Sequence, residues 1–452
     1  ETLLAGSPSS YPLNACQSPA HTGGLRSTLN WGQRLDADGQ LSVRIGVDHS
    51  RRRSDYRFDG ATTDGTPRLR RAVTAAADDS SLTSSGKYAR SWLQQHRFAL
   101  GWDGASTRRS ESRQQDDTAL PGPGASQLLQ QYQARVERIA VFAQDEWEAG
   151  AGLQTYAGLR WEGLSTRTSG AALAAVSNQS GVWSPVAQLV WQLPGRPREQ
   201  LRLALARTYK APPTRDLLPR RYTVNNGNSP TNPDQQGNPE LRPELAWGLD
   251  GAYEWYPAPQ ASASLSAYLR RIHDVTLQRL FEQDGHWVSS PANLGGARVA
   301  GLEFDTRLPL QALLATAPAL ELRLNAARNW SQLDAVAGPD NRLAAQLPAS
   351  ANIGLDYRPT AAWTLGLHAS LQRGGKLRLS AQRSSDSSTQ RTLDLFASWK
   401  PSPRSQLRIA LLNLFPQARQ QGQFYADGMA SWSSVSTTPS QRGLRFVLDQ
   451  SL

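Results

Sequence analysis

Apolar residues recur at every second position along most of the chain. In one segment Leu41, Val43, Ile45 and Val47 alternate with polar or small residues. The same alternation returns as far as the last residues, in segments such as 153–161, 201–205, 247–255, 363–371 and 444–448. Alternation over the length of a strand places one face against an apolar phase and the other against water or polar groups. The pattern therefore predicts an all-β protein whose strands each carry one apolar face.

The connections between these strands differ in length in a regular way. Short connections rich in Pro, Gly and Asp alternate with long polar ones, which are predicted at 105–131, 165–182, 211–243, 272–295, 331–348, 373–391 and 416–441. Residues 51–90 are also long and polar, and must contain one poorly marked strand if strand directions are to alternate. Short turns at one end and long loops at the other are typical of outer-membrane barrels. The sequence thus predicts a large antiparallel transmembrane β-barrel, with about seventeen strands and about eight short turns visible.

Aromatic residues and charges refine this prediction. Rings gather beside the predicted short turns, at Trp147, Trp191, Trp255, Tyr256, Tyr357, Trp363 and Trp399. Such rings favour the headgroup level of a membrane, which predicts an aromatic girdle at that end. The other face of the strands carries charges such as Arg44, Asp103 and Glu162. Because small barrels fill their interior with side chains, these charges indicate a wide lumen that holds water or a polar plug.

Composition excludes several classes of protein. The 452 residues include 49 Lys and Arg against 38 Asp and Glu, a net charge of +11, and only four of the basic residues are Lys. Mean hydropathy is −0.52, and no apolar run approaches the roughly 18 residues of a membrane helix. The sequence therefore excludes a helical membrane protein. Arginines are interleaved with acidic residues rather than gathered on one face, so nucleic acid is not an expected partner.

The six histidines suggest no chemistry of their own. None is paired at the spacing of metal ligands, and no nucleophile, histidine and carboxylate stand in a catalytic arrangement. We therefore expect no catalytic residue, no protein-bound metal and no cofactor.

Strand direction gives an expectation about the two ends of the chain. If the C-terminus lies in the periplasm, alternation makes the first clear strand, residues 25–34, run inward. Residues 1–24 would then be a partial extracellular loop, and residues 25–452 would be the barrel. An even-stranded barrel cannot begin on an inward strand, so at least one further strand is expected before Glu1.

Two segments resemble the best-marked region of the TonB-dependent outer-membrane receptors. A strand end of the form Tyr-x-Ala-Pro is followed, after a long loop, by a strand start of the form Asn-Pro-x-Leu-x-Pro-Glu. The matching residues, which we interpret as structural, are Tyr209, Lys210, Ala211, Pro212, Asn238, Pro239, Leu241, Pro243 and Glu244. The runs Asn293-Leu294-Gly295-Gly296-Ala297 and Asn413-Leu414-Phe415 are also similar to the family.

The resemblance implies a function as well as a fold. Receptors of this family close a barrel of about 22 strands, preceded by a plug and a segment that contacts TonB, both expected ahead of Glu1. The implied function is uptake of a scarce bulky nutrient, above all a ferric siderophore or similar metal chelate. The chain would then be a monomer in the outer membrane of a Gram-negative bacterium, surrounded by lipid and lipopolysaccharide. The alternative is a passive porin-like channel, and nothing in the sequence favours an enzyme.

The loop at 211–243 carries the candidate ligand-binding residues Arg215, Arg220, Arg221 and Tyr222. Guanidinium and phenol groups over a barrel mouth can bind an anionic chelate through paired hydrogen bonds and stacking. Trp287 is a further candidate. The same arginines would also suit a solvated loop that faces lipopolysaccharide. The arginine clusters at 51–53 and at 68, 70 and 71 are predicted to serve the phosphate-rich outer surface of the membrane.

Overall fold

The chain is built almost entirely of β-strands. The computed structural model describes residues 2–5, 11–92, 95–120, 124–171, 173–222 and 228–450. Within these ranges the helical elements are a single 3-10 turn, Thr214–Leu217, and one short α-helix, α1 (Leu310–Leu313). No helix in the same ranges has the length and apolar character needed to cross a membrane. The prediction of an all-β protein is confirmed.

In chain order the strands are β1 (Thr2–Ala5), β2 (Leu13–Gln17), β3 (Ala20–Arg34), β4 (Gly39–Ala61), β5 (Pro67–Trp92), β6 (His96–Ala119), β7 (Ala125–Gly150), β8 (Leu153–Gly170), β9 (Leu173–Gln192), β10 (Glu199–Lys210), β11 (Arg221–Tyr222), β12 (Asp234–Gln236), β13 (Glu244–Ala258), β14 (Ala261–His273), β15 (Thr276–Gln283), β16 (His286–Asn293), β17 (Gly296–Pro309), β18 (Leu320–Leu333), β19 (Ala349–Tyr357), β20 (Trp363–Gln372), β21 (Leu377–Arg378), β22 (Arg383–Ser387), β23 (Gln390–Ser402), β24 (Ser405–Leu412), β25 (Arg419–Ala426), β26 (Ser431–Thr438) and β27 (Gly443–Gln450).

Seventeen of these strands form one antiparallel sheet that curls into a barrel wall, as the sequence predicts. The wall follows chain order and consists of β3 to β10, β13, β14, β17 to β20, β23, β24 and β27. Strand β2 continues the line of β3, because it pairs with the far end of β4. In the described ranges no ladder joins β27 to β3, and every residue of β3 is exposed.

The start of the chain differs in detail from the expected loop. Residues 13–17 are strand β2, and β3 begins at Ala20, five residues before the predicted strand start at residue 25. Both pieces pair with β4, whose backbone offers them a ready edge. The assignment of residues 1–24 to the extracellular side stays a prediction.

The ends of the barrel are unequal, as predicted, and the strand required within residues 51–90 is β5, but two of the predicted long loops, 105–131 and 165–182, are wrong. Short connections follow β3, β5, β7, β9, β13, β17, β19 and β23, all at one end. At the other end long connections follow β10, β14, β18, β20 and β24, whereas the segments 51–90, 105–131 and 165–182 belong largely to β4 through β9. These segments form the parts of the strands that project beyond the band of apolar residues facing the lipid. Neither face of a strand needs to be apolar there. Their sequence therefore lacks the alternation that marks the lower wall.

The tallest part of the wall is formed by β4, β5, β6 and β7. These strands contain 23, 26, 24 and 26 residues, whereas about 9–11 residues suffice to cross a bilayer. At about 3.3 Å per residue, β5 spans roughly 85 Å. We refer to the end at which these strands project as the outer end.

The two faces of the wall have opposite character. The outer face carries large apolar side chains exposed to the surroundings, among them Ile45, Val47 and Leu82, the last paired in register with Val47. The inner face carries ion pairs such as Arg138 Nη2 with Asp103 Oδ1 at 2.7 Å. Exposed aromatic rings lie beside the short turns, and Trp363 stacks on Trp399 with ring centroids 6.0 Å apart. This arrangement suits a wall with an apolar phase outside and a polar lumen inside.

The long connections fold into small sheets at the outer end. One sheet has the order β11-β12-β16-β15, and another has the order β1-β26-β25-β22-β21. A cluster of buried apolar residues, where the connection after β14 meets β17 and β18, includes Val275, Ala297 and Leu333. Pairing of β12 with β16 ties the loop from β10 to β13 to the loop from β14 to β17, and the first of these loops borders the cavity described next.

Candidate functional site

A cavity of about 820 Å³ lies on the inner side of the wall, toward the outer end. Strands β4, β5 and β6 supply one side of it, and the connection between β10 and β13 supplies the other. Its lining contains six guanidinium groups and two carboxylates, namely Arg52, Arg71, Arg109, Arg113, Arg215, Arg220, Glu111 and Asp216. The lining is therefore strongly cationic.

Glu111 joins the wall to the loop. Its Oε2 accepts from Arg220 Nη1 at 2.9 Å and from the Tyr222 hydroxyl at 3.1 Å, while Oε1 accepts from Arg109 Nε at 2.7 Å. The Glu111 side chain is only 2% exposed. A buried carboxylate is stable only when it is paired and hydrogen-bonded. Glu111 has three donors and so fixes the position of the loop over the cavity.

Tyr222 contacts Arg220 through its ring and Glu111 through its hydroxyl group. The Arg220 guanidinium carbon lies 3.7 Å from the centroid of the Tyr222 ring, a cation–π contact. Burial raises the pKa of Tyr222 to about 12, and the neighbouring Glu111 carboxylate acts in the same direction. The phenol therefore stays protonated at neutral pH and donates to Glu111.

Aspartates that do not line the cavity neutralise part of its positive charge. Arg71 donates to Asp117 at 2.7 Å, and Arg109 reaches Asp79 at 2.6 Å as well as Glu111. Asp234, 3% exposed, lies in the same loop, and burial raises the pKa of its carboxyl group. These acids leave the cavity cationic at neutral pH, because they offset only some of the guanidinium groups.

Two groups in the cavity are poorly satisfied. Arg113 is 9% exposed and donates to Gln115 and, at 3.4 Å, to Gln130, with no carboxylate partner among the described residues. Arg220 Nε is buried and has no hydrogen-bond partner in the same part of the chain. A buried donor without an acceptor costs free energy, so an anion beside Arg220 Nε would be stabilised, and the unpaired charge of Arg113 would add to its attraction.

The structure brings together three of the five candidate residues from the sequence. Arg215, Arg220 and Tyr222 line the cavity. Arg221 instead faces Asp284, 3.7 Å away. Trp287 lies in a separate aromatic cluster, with its ring 5.4 Å from that of Tyr425, which in turn contacts Trp432.

Arg52, Arg71, Arg109, Glu111 and Arg113 were not among the candidate residues from the sequence. The prediction that Arg52 and Arg71 serve the outer surface is wrong, because both line the cavity. Strand parity could have identified Arg52, since it shares a face with Arg44, which the sequence assigns to the lumen.

The motif residues lock the base of the same loop. Lys210 and Glu244 are register partners, with Nζ and Oε2 3.5 Å apart. Asn238 donates to the Pro291 carbonyl at 3.1 Å, and Asn293 accepts from the Arg242 backbone at 2.8 Å. Their structural interpretation is consistent with these contacts.

No group of three or more His, Cys, Asp or Glu in the described ranges could hold a metal ion. The cavity offers hydrogen-bond donors instead of ligands for a bare cation. Guanidinium donors of this kind suit the oxygen atoms of an anion.

Comparison with known proteins agrees with this architecture. A family model described as TonB dependent receptor-like, beta-barrel matches residues 5–414. No curated protein sequence matches the chain.

Solved structures share the fold. The copper transporter OprC has a TM-score of 0.63 at 15% identity over 96% of this chain and 72% of its own. The unliganded ferric citrate transporter FecA has a TM-score of 0.67 at 12% identity over 97% of this chain and 62% of its own. The siderophore receptor PiuA from Acinetobacter baumannii has a TM-score of 0.62 at 12% identity over 99% of this chain and 68% of its own. The chain thus spans about two thirds of the length of these proteins.

The family match covers most of the chain and agrees with the barrel, its unequal ends and the motif contacts. TonB-dependent receptors are transporters of the Gram-negative outer membrane and not enzymes. The chain belongs to the TonB-dependent receptor family, as the β-barrel part of such a receptor.

Proposed function

We propose that this chain forms the barrel of an outer-membrane transporter that takes up a bulky anionic metal chelate, with a ferric siderophore as the expected class. The observation that carries the proposal is the arginine-lined cavity at the outer end. Its volume of about 820 Å³ falls in the range of small-molecule sites, about 300–1,000 Å³. A chelate with carboxylate or phenolate oxygens would accept from the unpartnered Nε of Arg220 and from Arg113, which has no carboxylate partner among the described residues.

The positions of Arg113 and Arg220 support an anionic ligand over a neutral one. Arg113 lies on the wall and Arg220 on the loop, so a ligand oxygen between them would link the two parts of the cavity. Ferric citrate and siderophores are cargo of the similar solved proteins, as their names state. One of the similar proteins is named a copper transporter, so the proposal includes chelates of metals other than iron.

The remaining partners are proposed from the family. Uptake would depend on the TonB complex, coupled through N-terminal segments that family members carry ahead of the barrel. The location would be the outer membrane of a Gram-negative bacterium, with the protein as a monomer among lipid and lipopolysaccharide. A passive porin-like channel is not favoured, because the family consists of energy-dependent transporters.

Binding measurements test the cavity. The full receptor, titrated with ferric citrate and with anionic ferric siderophores, should show saturable quenching of tryptophan fluorescence. The double variant Arg113→Gln/Arg220→Gln should bind about tenfold more weakly or worse, because charged hydrogen bonds are lost. A matched control, Arg53→Gln/Arg57→Gln, removes the same charge from the outer face of β4 and should bind within about twofold of the wild type.

Growth on single iron sources, with and without the intact gene, provides the second readout. Loss of growth on one chelate that matches the binding result would support the proposal. Equal affinity of the cavity variant and the wild type would exclude this cavity as the site. Normal growth of the deletion strain on every chelate that binds would argue against iron uptake.

A further inference from the structure

Three arginines lie side by side on the outer face of the wall, on three neighbouring strands. Arg108 of β6 is the register partner of Arg135 of β7, and Arg135 is the register partner of Arg167 of β8. All three side chains are exposed. We call this set the arginine row.

The neighbours of these residues establish which way the row faces. Arg109 lines the inner cavity, and Ala134 and Thr168 are 1% and 2% exposed. Successive side chains in a strand point to opposite faces. The arginine row therefore faces away from the lumen.

The row lies just beyond the apolar band of the wall. Four residues nearer the short turns, on the same face, the register places Gly104, Ile139 and Gly163 in one line, and Ile139 is 59% exposed. Four residues correspond to about 13 Å along a strand. The headgroup region adds roughly 5–8 Å to each side of the hydrocarbon core. The arginine row is thus at the outer edge of the headgroups, where the phosphorylated sugars of an outer leaflet lie.

The row carries more positive charge than the described residues neutralise. Arg135 pairs with Glu137, while Arg108 donates to the Gln133 side-chain oxygen at 3.2 Å. Arg167 has no ion pair in the part of the chain that the structure describes. Like charges directly opposite one another destabilise a sheet. A bound polyanion would remove that repulsion.

We propose that the arginine row binds the phosphate groups of lipopolysaccharide in the outer leaflet. Guanidinium groups bind phosphate oxygens in pairs, and three in a line can contact more than one phosphate. The proposal rests on the outer-membrane location and not on the transported substrate. It also revises the sequence prediction, because Arg51 is paired with Asp78, Arg70 with Asp59, and Arg71 with Asp117 on the inner side.

The test uses the full receptor purified from native outer membranes in mild detergent. Lipopolysaccharide that co-purifies is measured as 3-hydroxy fatty acid per mole of protein. The triple variant Arg108→Gln/Arg135→Gln/Arg167→Gln should retain about a tenth of the wild-type amount or less. The control Arg53→Gln/Arg57→Gln/Arg68→Gln removes three exposed charges farther from the membrane on β4 and β5 and should retain at least about half.

The phosphate requirement is tested with purified lipid A. Bisphosphorylated lipid A should bind the wild type about tenfold more tightly than the dephosphorylated form. Equal binding of the two forms, or equal loss in the two triple variants, would overturn the proposal. If the triple variant does not give heat-modifiable gel migration, Arg167→Gln alone replaces it. That variant breaks no ion pair in the described ranges and should lower the retained amount about threefold, whereas an unchanged amount would overturn the proposal.

Discussion

Glu111 is the residue on which the organisation of the cavity depends. It is buried on β6 and accepts hydrogen bonds from one wall residue and two loop residues. Arg109 retains Asp79 as a second partner, whereas Arg220 has no second carboxylate among the described residues. The loop is therefore more dependent on Glu111 than the wall is.

The Tyr222 hydroxyl should titrate far above the usual range of a tyrosine. Its pKa is raised to about 12 by burial and by Glu111. Because the folded-state pKa lies above the unfolded value of about 10, this tyrosine contributes stability that is complete below pH 10. That contribution is lost as the pH rises toward 12.

A spectroscopic titration checks this prediction. The alkaline ultraviolet difference spectrum of the wild type minus that of Tyr222→Phe should contain one phenolate that appears near pH 12. A component that titrates near pH 10 would show that Tyr222 is not buried against Glu111.

At the scale of elements, the loop between β10 and β13 is positioned by close backbone contact. A Cβ atom on Gly237 would overlap the carbonyl oxygens of Leu218 and Asp216. The Asn238 backbone N–H donates to Asp216 O at 2.6 Å at the same place. Only a residue without a side chain permits this approach, which brings residues 237–238 of the connection against its 3-10 turn, Thr214–Leu217.

Gly237→Ala should therefore disturb the loop. We expect the free energy of unfolding to fall by about 1–3 kcal/mol, as for other overpacked sites. Urea unfolding followed by tryptophan fluorescence measures the change. The control is Gly104→Ala in the wall, where a Cβ would meet only backbone atoms at 3.8 Å. A loss as large in the control as in Gly237→Ala would contradict the packing argument.

At the scale of the whole molecule, the unequal ends of the barrel predict its orientation in the membrane. The tall strands β4 to β7 and the small loop sheets lie at one end, and the eight short turns lie at the other. Outer-membrane barrels keep short turns in the periplasm. The arginine-lined cavity would then open toward the outside of the cell.

Cysteine labelling on intact cells tests this orientation. In a Cys16→Ser background, Thr63→Cys at the tip between β4 and β5 should react with a membrane-impermeant maleimide. Gln260→Cys in the turn between β13 and β14 should react only after the outer membrane is permeabilised. Both positions are exposed, so burial would not prevent labelling at either one. Labelling of Gln260→Cys on intact cells, with Thr63→Cys labelled only after permeabilisation, would mean that the orientation is reversed.

Much of the wall could be predicted from the sequence, whereas the upper strands could not. Alternation identified the lower segments and the count of about seventeen strands, because lipid on one side demands an apolar residue at every second position. Above the bilayer that demand ends, and the upper parts of β4 to β9 were predicted as loops. The motif residues marked the base of the cavity loop, and the position of Arg215, Arg220 and Tyr222 in a long predicted loop made them candidates that the structure places in one cavity.

The sequence by itself determined the fold class, the apolar outer face and the family, since all three depend on local spacing along one strand or one motif. Tertiary structure decided which arginines face the lumen and which face outward. Arg108 and Arg109 are adjacent in sequence, yet one belongs to the arginine row and the other binds Glu111 inside the wall. The physical reason is that register across strands brings distant residues together, and register depends on pairing that no single segment contains.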